Sequence, residues 1–325
     1  RVAELPARDV ALVQAAAGLL VVVFCAKAAV LPMYFWLPQT YTHAPAAVAA
    51  LFAVMTKVGL YAVLRVGTLS FGAAGPLDGF AWPALLALGG ATLLLDELGV
   101  LASRRLRSLA AYLVLGSAAT LFIAFALATA GTVSAGLYYL AHSTFAGAAL
   151  FLLADLIRRR RGAAGDRKDM LAALPDRTVP GVLFLIAAVS LVGLPPLSGF
   201  IGKLLLLEAV PSASTGWVWA LVLGTSFMML VGLARAGTRL FWRVEPWPDA
   251  PPERLTNYVP LDAMAVAPSR PLEATATMLL LAYGIAMALA AAPLLDYTRA
   301  TAAQLQSPAA YVEQARAATP MLREP

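Results

Sequence analysis

Four ionisable side chains stand where such groups are rarely found. Lys27, Lys57 and Lys203 lie inside long apolar runs, and His142 sits midway along another, in Tyr138-Tyr-Leu-Ala-His-Ser-Thr144. Nearly every arginine falls in a loop or at a segment end, and Lys168 is the one lysine that does. A charge at the centre of a spanning helix costs roughly 2.5–3.5 kcal/mol on insertion scales, so groups kept there are kept for use. A lysine held away from water can release a proton. Imidazole changes charge near neutral pH unaided. Four protonatable groups at similar depth on four segments read as a proton relay within the plane of a membrane. A single lysine can instead snorkel to an interface. Taken together, with broken helices beside them, the four groups point to an ion or proton transporter.

The elements that must hold them are membrane helices. The chain has 325 residues, 61% hydrophobic and 13% charged, with a mean hydropathy of +0.77. A soluble domain carries about 25% charged residues, so a water-soluble fold and disorder are both excluded. Spanning helices need roughly 20 apolar residues. Eight segments qualify, near 10–31, 44–68, 81–102, 107–128, 133–157, 179–209, 215–241 and 271–293. The fold class is an all-α polytopic membrane protein, with residues 1–293 as the transmembrane domain. Residues 294–325 form a tail in which Tyr297, Ala300, Leu305 and Tyr311 among polar residues predict a surface helix. The sixth segment is too long for one straight helix and contains Gly193-Leu-Pro-Pro-Leu-Ser-Gly199. Paired prolines remove backbone donors, which predicts two half-helices and carbonyls near Val189–Leu194 without helical partners. Pro32 and Pro38 predict a similar interruption after the first segment.

Sidedness follows from the basic residues. Loops 102–107, 157–178 and 235–270 hold fifteen Lys and Arg, and the opposite side holds six: Arg1, Arg8, Arg65, Arg299, Arg316 and Arg323. The positive-inside rule places the fifteen in the cytoplasm and both ends outside. The net charge of +6 is thus a topology signal and not a nucleic-acid footprint. The run Arg158–Arg161 reads as a topology anchor, with Asp155 neutralising it locally. Asp96 and Glu97 have two readings, as proton-entry groups or as interfacial partners of Arg104 or Arg105, and the second is favoured. The single Cys25 allows no intrachain disulfide. No P-loop, GxGxxG, metal-spaced Cys/His cluster or Ser/His/Asp grouping is visible, so no cofactor and no metal are expected. The chain starts without Met, in a loop leading into a helix, which points to a missing N-terminal part.

Several stretches resemble a known family. Phe24-Cys-Ala-Lys-Ala-Ala-Val-Leu-Pro-Met-Tyr-Phe-Trp-Leu-Pro38 and His43-Ala-Pro-Ala-Ala-Val-Ala-Ala-Leu-Phe-Ala-Val-Met-Thr-Lys-Val-Gly-Leu-Tyr61 are similar to the signature of the proton-translocating antiporter-like subunits. These occur in respiratory complex I and in multisubunit monovalent cation/proton antiporters of the Mrp/Pha type. Leu101–Tyr112, Leu137–Thr144 and Gly193–Lys203 extend the match, which covers about residues 1–243. Ala53–Gly59 and Ala149–Ile157 are most similar to the D subunit of the antiporter. The resemblance implies a fourteen-helix fold with two inverted repeats, of which the eight segments are the last eight. It implies a relay in the order Lys27, Lys57, His142, Lys203. The glutamate that pairs with the first lysine in relatives belongs to a helix this chain lacks. A second histidine of some relatives aligns near Ser117, so Ser117 or water must carry the proton there. Asp96 and Glu97 fall where relatives usually have small residues.

The implied function is that of a membrane subunit of a Na+(K+)/H+ antiporter in a bacterial plasma membrane, supporting pH and salt homeostasis. Its partners are the other antiporter subunits, the lipid bilayer, protons and Na+ or K+. Two alternatives stay open: a proton-pumping subunit of a complex I-like NADH or ferredoxin oxidoreductase, and a non-transporting scaffold subunit.

Overall fold

A computed structural model describes residues 7–70, 79–242, 257–259, 271–307 and 313–314. Among them are eleven α-helices: α1 (Ala7–Ala28), α2 (Trp36–His43), α3 (Ala46–Ser70), α4 (Trp82–Ala102), α5 (Leu106–Ala126), α6 (Ala130–Arg160), α7 (Thr178–Val192), α8 (Ser198–Glu208), α9 (Thr215–Gly237), α10 (Pro271–Leu289) and α11 (Ala291–Gln306). Seven of these are long and apolar enough to cross a membrane. The eighth predicted span is the pair α7 and α8, each too short to cross alone. The protein is a multi-pass membrane protein.

The centre of the bundle is α5, which packs against α2, α3, α4, α6 and α9. Eighteen of its 21 residues are buried, Ser117 and Thr120 among them, so it is covered on all sides. The neighbouring α6 starts on a reciprocal cap, in which the Thr132 amide donates to Thr129 Oγ1 (3.1 Å) and the Thr129 amide to Thr132 Oγ1 (3.3 Å). At about 1.5 Å per residue its 31 residues exceed the roughly 30 Å hydrocarbon core, so one end projects beyond it. That end carries Arg158–Arg160. Large apolar side chains such as Leu51, Val58, Leu98 and Phe227 remain exposed, a lipid-facing pattern in a membrane protein.

Two chain breaks shape the bundle. The α1 helix ends where Ala29 turns left-handed (φ 59°), and the amide of Leu31 donates to Thr92 Oγ1 on α4 (3.0 Å). The indole of Trp36 donates to the Ala26 carbonyl (2.8 Å), which also accepts from the Ala29 amide (3.3 Å) at that helix end. Pro38 does not interrupt the chain as expected, since it sits in the first turn of α2, where a missing N–H costs nothing. The second break follows α7, whose C-terminal cap is Gly193 at φ 82°, a conformation that favours glycine. The amides of Gly193 and Leu194 both donate to Val189, so that carbonyl keeps its partners, contrary to the prediction for it.

The three basic loops meet at one end of the bundle. Leu106 N donates to Asp166 O (2.9 Å), Lys168 N to Arg104 O (2.8 Å), and a two-residue parallel ladder pairs Leu171 with Tyr258 and Ala172 with Val259. Asp155 accepts from Arg158 Nε (2.8 Å) and Arg159 Nε (2.6 Å), as expected. Arg161, the last of the run, has a further role in the loop. It is fully buried and donates to the carbonyls of Gly165, Arg167 and Met170 at 2.8–2.9 Å, organising the loop from within. Arg1, Arg243, Arg254, Arg270, Arg316 and Arg323, and the Arg8 side chain, lie outside the described residues.

The polypeptide after α10 forms α11, which lies against α6 and α3. Its buried stripe is Thr298, Ala302 and Leu305, with Ser134 and Thr298 hydroxyls 3.0 Å apart. Of the apolar residues picked out in that segment only Leu305 is buried; Tyr297 and Ala300 are exposed, and Tyr311 lies outside the described residues.

Candidate functional site

Three of the four predicted relay groups are buried inside the bundle. Lys57 is 3% exposed, His142 1% and Lys203 7%. The Lys57 amine, from α3, donates to the Ser117 hydroxyl on α5, which in turn donates to the Val114 carbonyl (2.7 Å). His142, from α6, holds Nδ1 2.9 Å from the Ser198 hydroxyl at the start of α8. Its Nε2 is buried without a hydrogen-bond partner among the described residues. The imidazole lies within electrostatic reach of both Lys57 and Lys203.

Lys203 exploits the second break. Its amine donates to the Val192 carbonyl and to the Ser226 hydroxyl, both at 2.8 Å. Val192 is the last residue of α7, so its carbonyl is one that the break leaves without an intrahelical donor. That helix end also carries the negative pole of the α7 dipole, which favours a cation. The geometry depends on two glycines. A Cβ at Gly193 would come within 2.9 Å of Lys203 Cδ. One at Gly199 would collide with the Ser190 carbonyl and stand 2.8 Å from His142 Nε2.

Lys27 is placed differently. It lies exposed in the last turn of α1, and none of the described residues hydrogen-bonds its amine. The next residue, Ala28, packs on Gly59, so that turn is level with the Lys57 turn of α3.

Asp96 and Glu97 overturn the interfacial reading. Both are fully buried, and none of their four carboxylate oxygens has a hydrogen-bond partner among the described residues. Arg104 and Arg105 lie in the polar cap, where both are exposed, the Arg104 carbonyl accepts from the Lys168 amide and Arg105 pairs through its backbone with Arg167. A Cβ at Gly116 would collide with the Asp96 carboxylate, so Asp96 lies against α5 directly beside Ser117. Both carboxylates are within electrostatic reach of Lys203 and Tyr139.

Sequence reasoning missed Ser198, Ser226 and the Val192 carbonyl. Ser198 was signalled by its place just after Pro195-Pro196, at the start of a new half-helix. Ser226 had no signal, because its role depends on α9 lying beside α8.

A family model described as NADH:quinone oxidoreductase/Mrp antiporter, TM, matches residues 7–229. The chain is 33% identical to the D subunit of a probable K(+)/H(+) antiporter of Rhizobium meliloti (strain 1021), over 97% of this chain and 61% of that protein. It is 30% identical to the D subunit of a Na(+)/H(+) antiporter of Alkalihalophilus pseudofirmus, over 91% of this chain and 57% of that protein. Its fold superposes on a chain of the Mrp complex from Dietzia sp. DQ12-45-1b with a TM-score of 0.73 and 26% identity, covering 90% of this chain and 59% of the other. The chain thus spans about three-fifths of the length of these relatives. With a family model matching residues 7–229, which hold Lys27, Lys57, His142 and Lys203, the chain belongs to the NADH:quinone oxidoreductase/Mrp antiporter transmembrane family.

Proposed function

We propose that this chain is part of the D subunit of an Mrp-type monovalent cation/proton antiporter, and that it carries protons laterally through the order Lys27, Lys57, Ser117, His142, Lys203. Proton entry through this line drives export of Na+ or K+ by the assembled complex, serving pH and salt homeostasis. The other subunits of the antiporter are its partners. The basic cap faces the cytoplasm of a bacterial plasma membrane, and both ends of the chain lie outside, following the distribution of Lys and Arg. The observation that carries the reading is the setting of Lys57, Lys203 and His142. All three are buried and bound to hydroxyls or a carbonyl, with no carboxylate among the described residues in hydrogen-bond contact.

The test is Lys57→Ala and Lys57→Arg in the complete antiporter operon, expressed in antiporter-deficient cells and assayed in everted vesicles. Alanine removes the titratable group and keeps a good helix former, so the complex assembles and transport is lost. Arginine also fails, because guanidinium does not deprotonate in the accessible pH range. Near-normal antiport by both variants at normal protein levels refutes the relay, and loss of assembly favours the scaffold reading. The shared family also favours a second reading, a proton-pumping subunit of a redox complex. Flavin and iron–sulfur absorbance in the purified complex supports that alternative, and a colourless complex the antiporter.

A further inference from the structure

The relay as proposed leaves two fully buried carboxyls on α4 without a role. Buried polar groups are almost always hydrogen-bonded, so four carboxylate oxygens without a partner among the described residues call for an explanation. Their directions supply one. Successive residues of a helix point about 100° apart, so Asp96 and Glu97 cannot close around one metal ion. Asp96 faces Gly116 on α5. Glu97 faces α9, by register: Gly90 lies against Leu221, Val100 lies against Gly232, and the two helices run in the same direction. Glu97, between those contacts, is level with Ser226–Met229. Ser226 is the residue whose hydroxyl receives a hydrogen bond from Lys203.

We propose that Asp96 and Glu97 form a buried carboxyl station that exchanges a proton with Lys203 by way of Ser226. The proposal rests on the relay reading above. In the exchange an N–H bond of the Lys203 ammonium breaks and an O–H bond forms on a carboxylate oxygen. One positive and one negative charge vanish together, leaving a neutral amine and a neutral acid. The Ser226 hydroxyl accepts the amine proton on one side and, once the Glu97 side chain turns from its present unpaired position into reach, gives its own to Glu97 on the other. Asp96, beside Ser117, is the second carboxyl of the station, on the side of the bundle where Lys57 binds.

The surroundings contain few competitors. From α8 comes Lys203, from α6 Tyr139 and His142, and from α5 Tyr112, which packs on Gly99 one turn below. The described part of α9 carries no ionisable group before Arg235, near its far end. Tyr139 stands against Gly202 with its ring centroid 5.5 Å from that of His142.

The experiment uses the whole complex with Asp96→Asn and Glu97→Gln, which keep shape and remove the acid. Cation-dependent proton transport in everted vesicles is recorded across pH, alongside Lys57→Ala and Lys203→Ala. Both amides assemble, lose transport by roughly a hundredfold, as for removal of an acid/base group, and flatten the pH profile. Wild-type rates and an unchanged profile in both amides, with the lysine variants inactive, overturn the station and leave the relay standing. Active lysine variants overturn the relay itself. If an amide fails to assemble, Asp96→Glu and Glu97→Asp decide: a shifted pH profile supports the station, and an unchanged profile or failed assembly overturns it.

Discussion

Replacing Ser117 by alanine tests how the bundle tolerates a cation. In the native chain the Lys57 amine, 3% exposed, has one hydrogen-bond acceptor among the described residues, the Ser117 hydroxyl. Removing that oxygen leaves the buried ammonium form without a hydrogen-bond partner among the described residues. A hydrogen bond to a charged group contributes roughly 1.5–3 kcal/mol. At about 1.4 kcal/mol per factor of ten, loading Lys57 with a proton becomes about ten- to 150-fold less favourable. Steady proton transport in everted vesicles therefore falls by a factor in that range, while α5 keeps a good helix former at the substituted position. A double-mutant cycle isolates the contact. In a Lys57→Met background the serine faces no charge, so Ser117→Ala changes the thermal stability of the purified complex little, whereas with Lys57 present it destabilises by about 2 kcal/mol. Wild-type transport by Ser117→Ala, or equal stability changes in the two backgrounds, refutes the reasoning.

Gly199→Ala forces a methyl group into the Ser190 carbonyl and the His142 ring, and neither belongs to a flexible chain end. Overpacking of this kind costs about 1–3 kcal/mol, so the α7–α8 junction shifts and the yield of assembled complex, read on native gels, falls. Lys168 probes the polar cap by pH. Its amine, which donates to Ser103 Oγ (3.0 Å), is pushed down to about 8 from its ordinary 10.5 by burial and by Arg239 and Arg235. The unfolded cap thus binds more protons between about pH 8 and 10.5, and native stability rises with pH through that window, by at most about 3 kcal/mol. Lys168→Met removes that rise, which thermal unfolding of the solubilised complex across the window measures.

Much of this arrangement was legible because membrane physics is one-dimensional. Apolar runs of fixed length locate spans, and Gly193-Leu-Pro-Pro marks a break that no regular helix could survive. Lys57, Lys203 and His142 stood out by the cost of placing them where they are. What could not be read depends on which helices are neighbours. Ser226 contacts Lys203 only because α9 lies beside α8. Asp96 and Glu97 were misread because counting back from Arg104 puts them within two turns of the interface. The turn at Ser103 sends those arginines outward into the cap, and the carboxyls face α5 and α9 instead. Pro38 misled for a local reason, since a proline in a first helical turn looks in sequence like one that breaks a helix.

The choice of partners for the buried cations carries an argument of its own. An ammonium and a carboxylate 4 Å apart attract by about 4 kcal/mol at an effective dielectric constant near 20. That would bias a proton toward one site by about a thousandfold, which suits a structural ion pair and not a proton in transit. Among the described residues no carboxylate lies within ion-pair distance of Lys57 or Lys203. Lys57 rests on one hydroxyl, and Lys203 on one hydroxyl and the carbonyl that the break in α7 sets free. Such neutral acceptors stabilise a charge by less, so occupancy can change at modest cost. The Asp96 and Glu97 carboxylates make no hydrogen bond to Lys203. With no ion pair to fix the proton, a group in this setting can be both loaded and emptied.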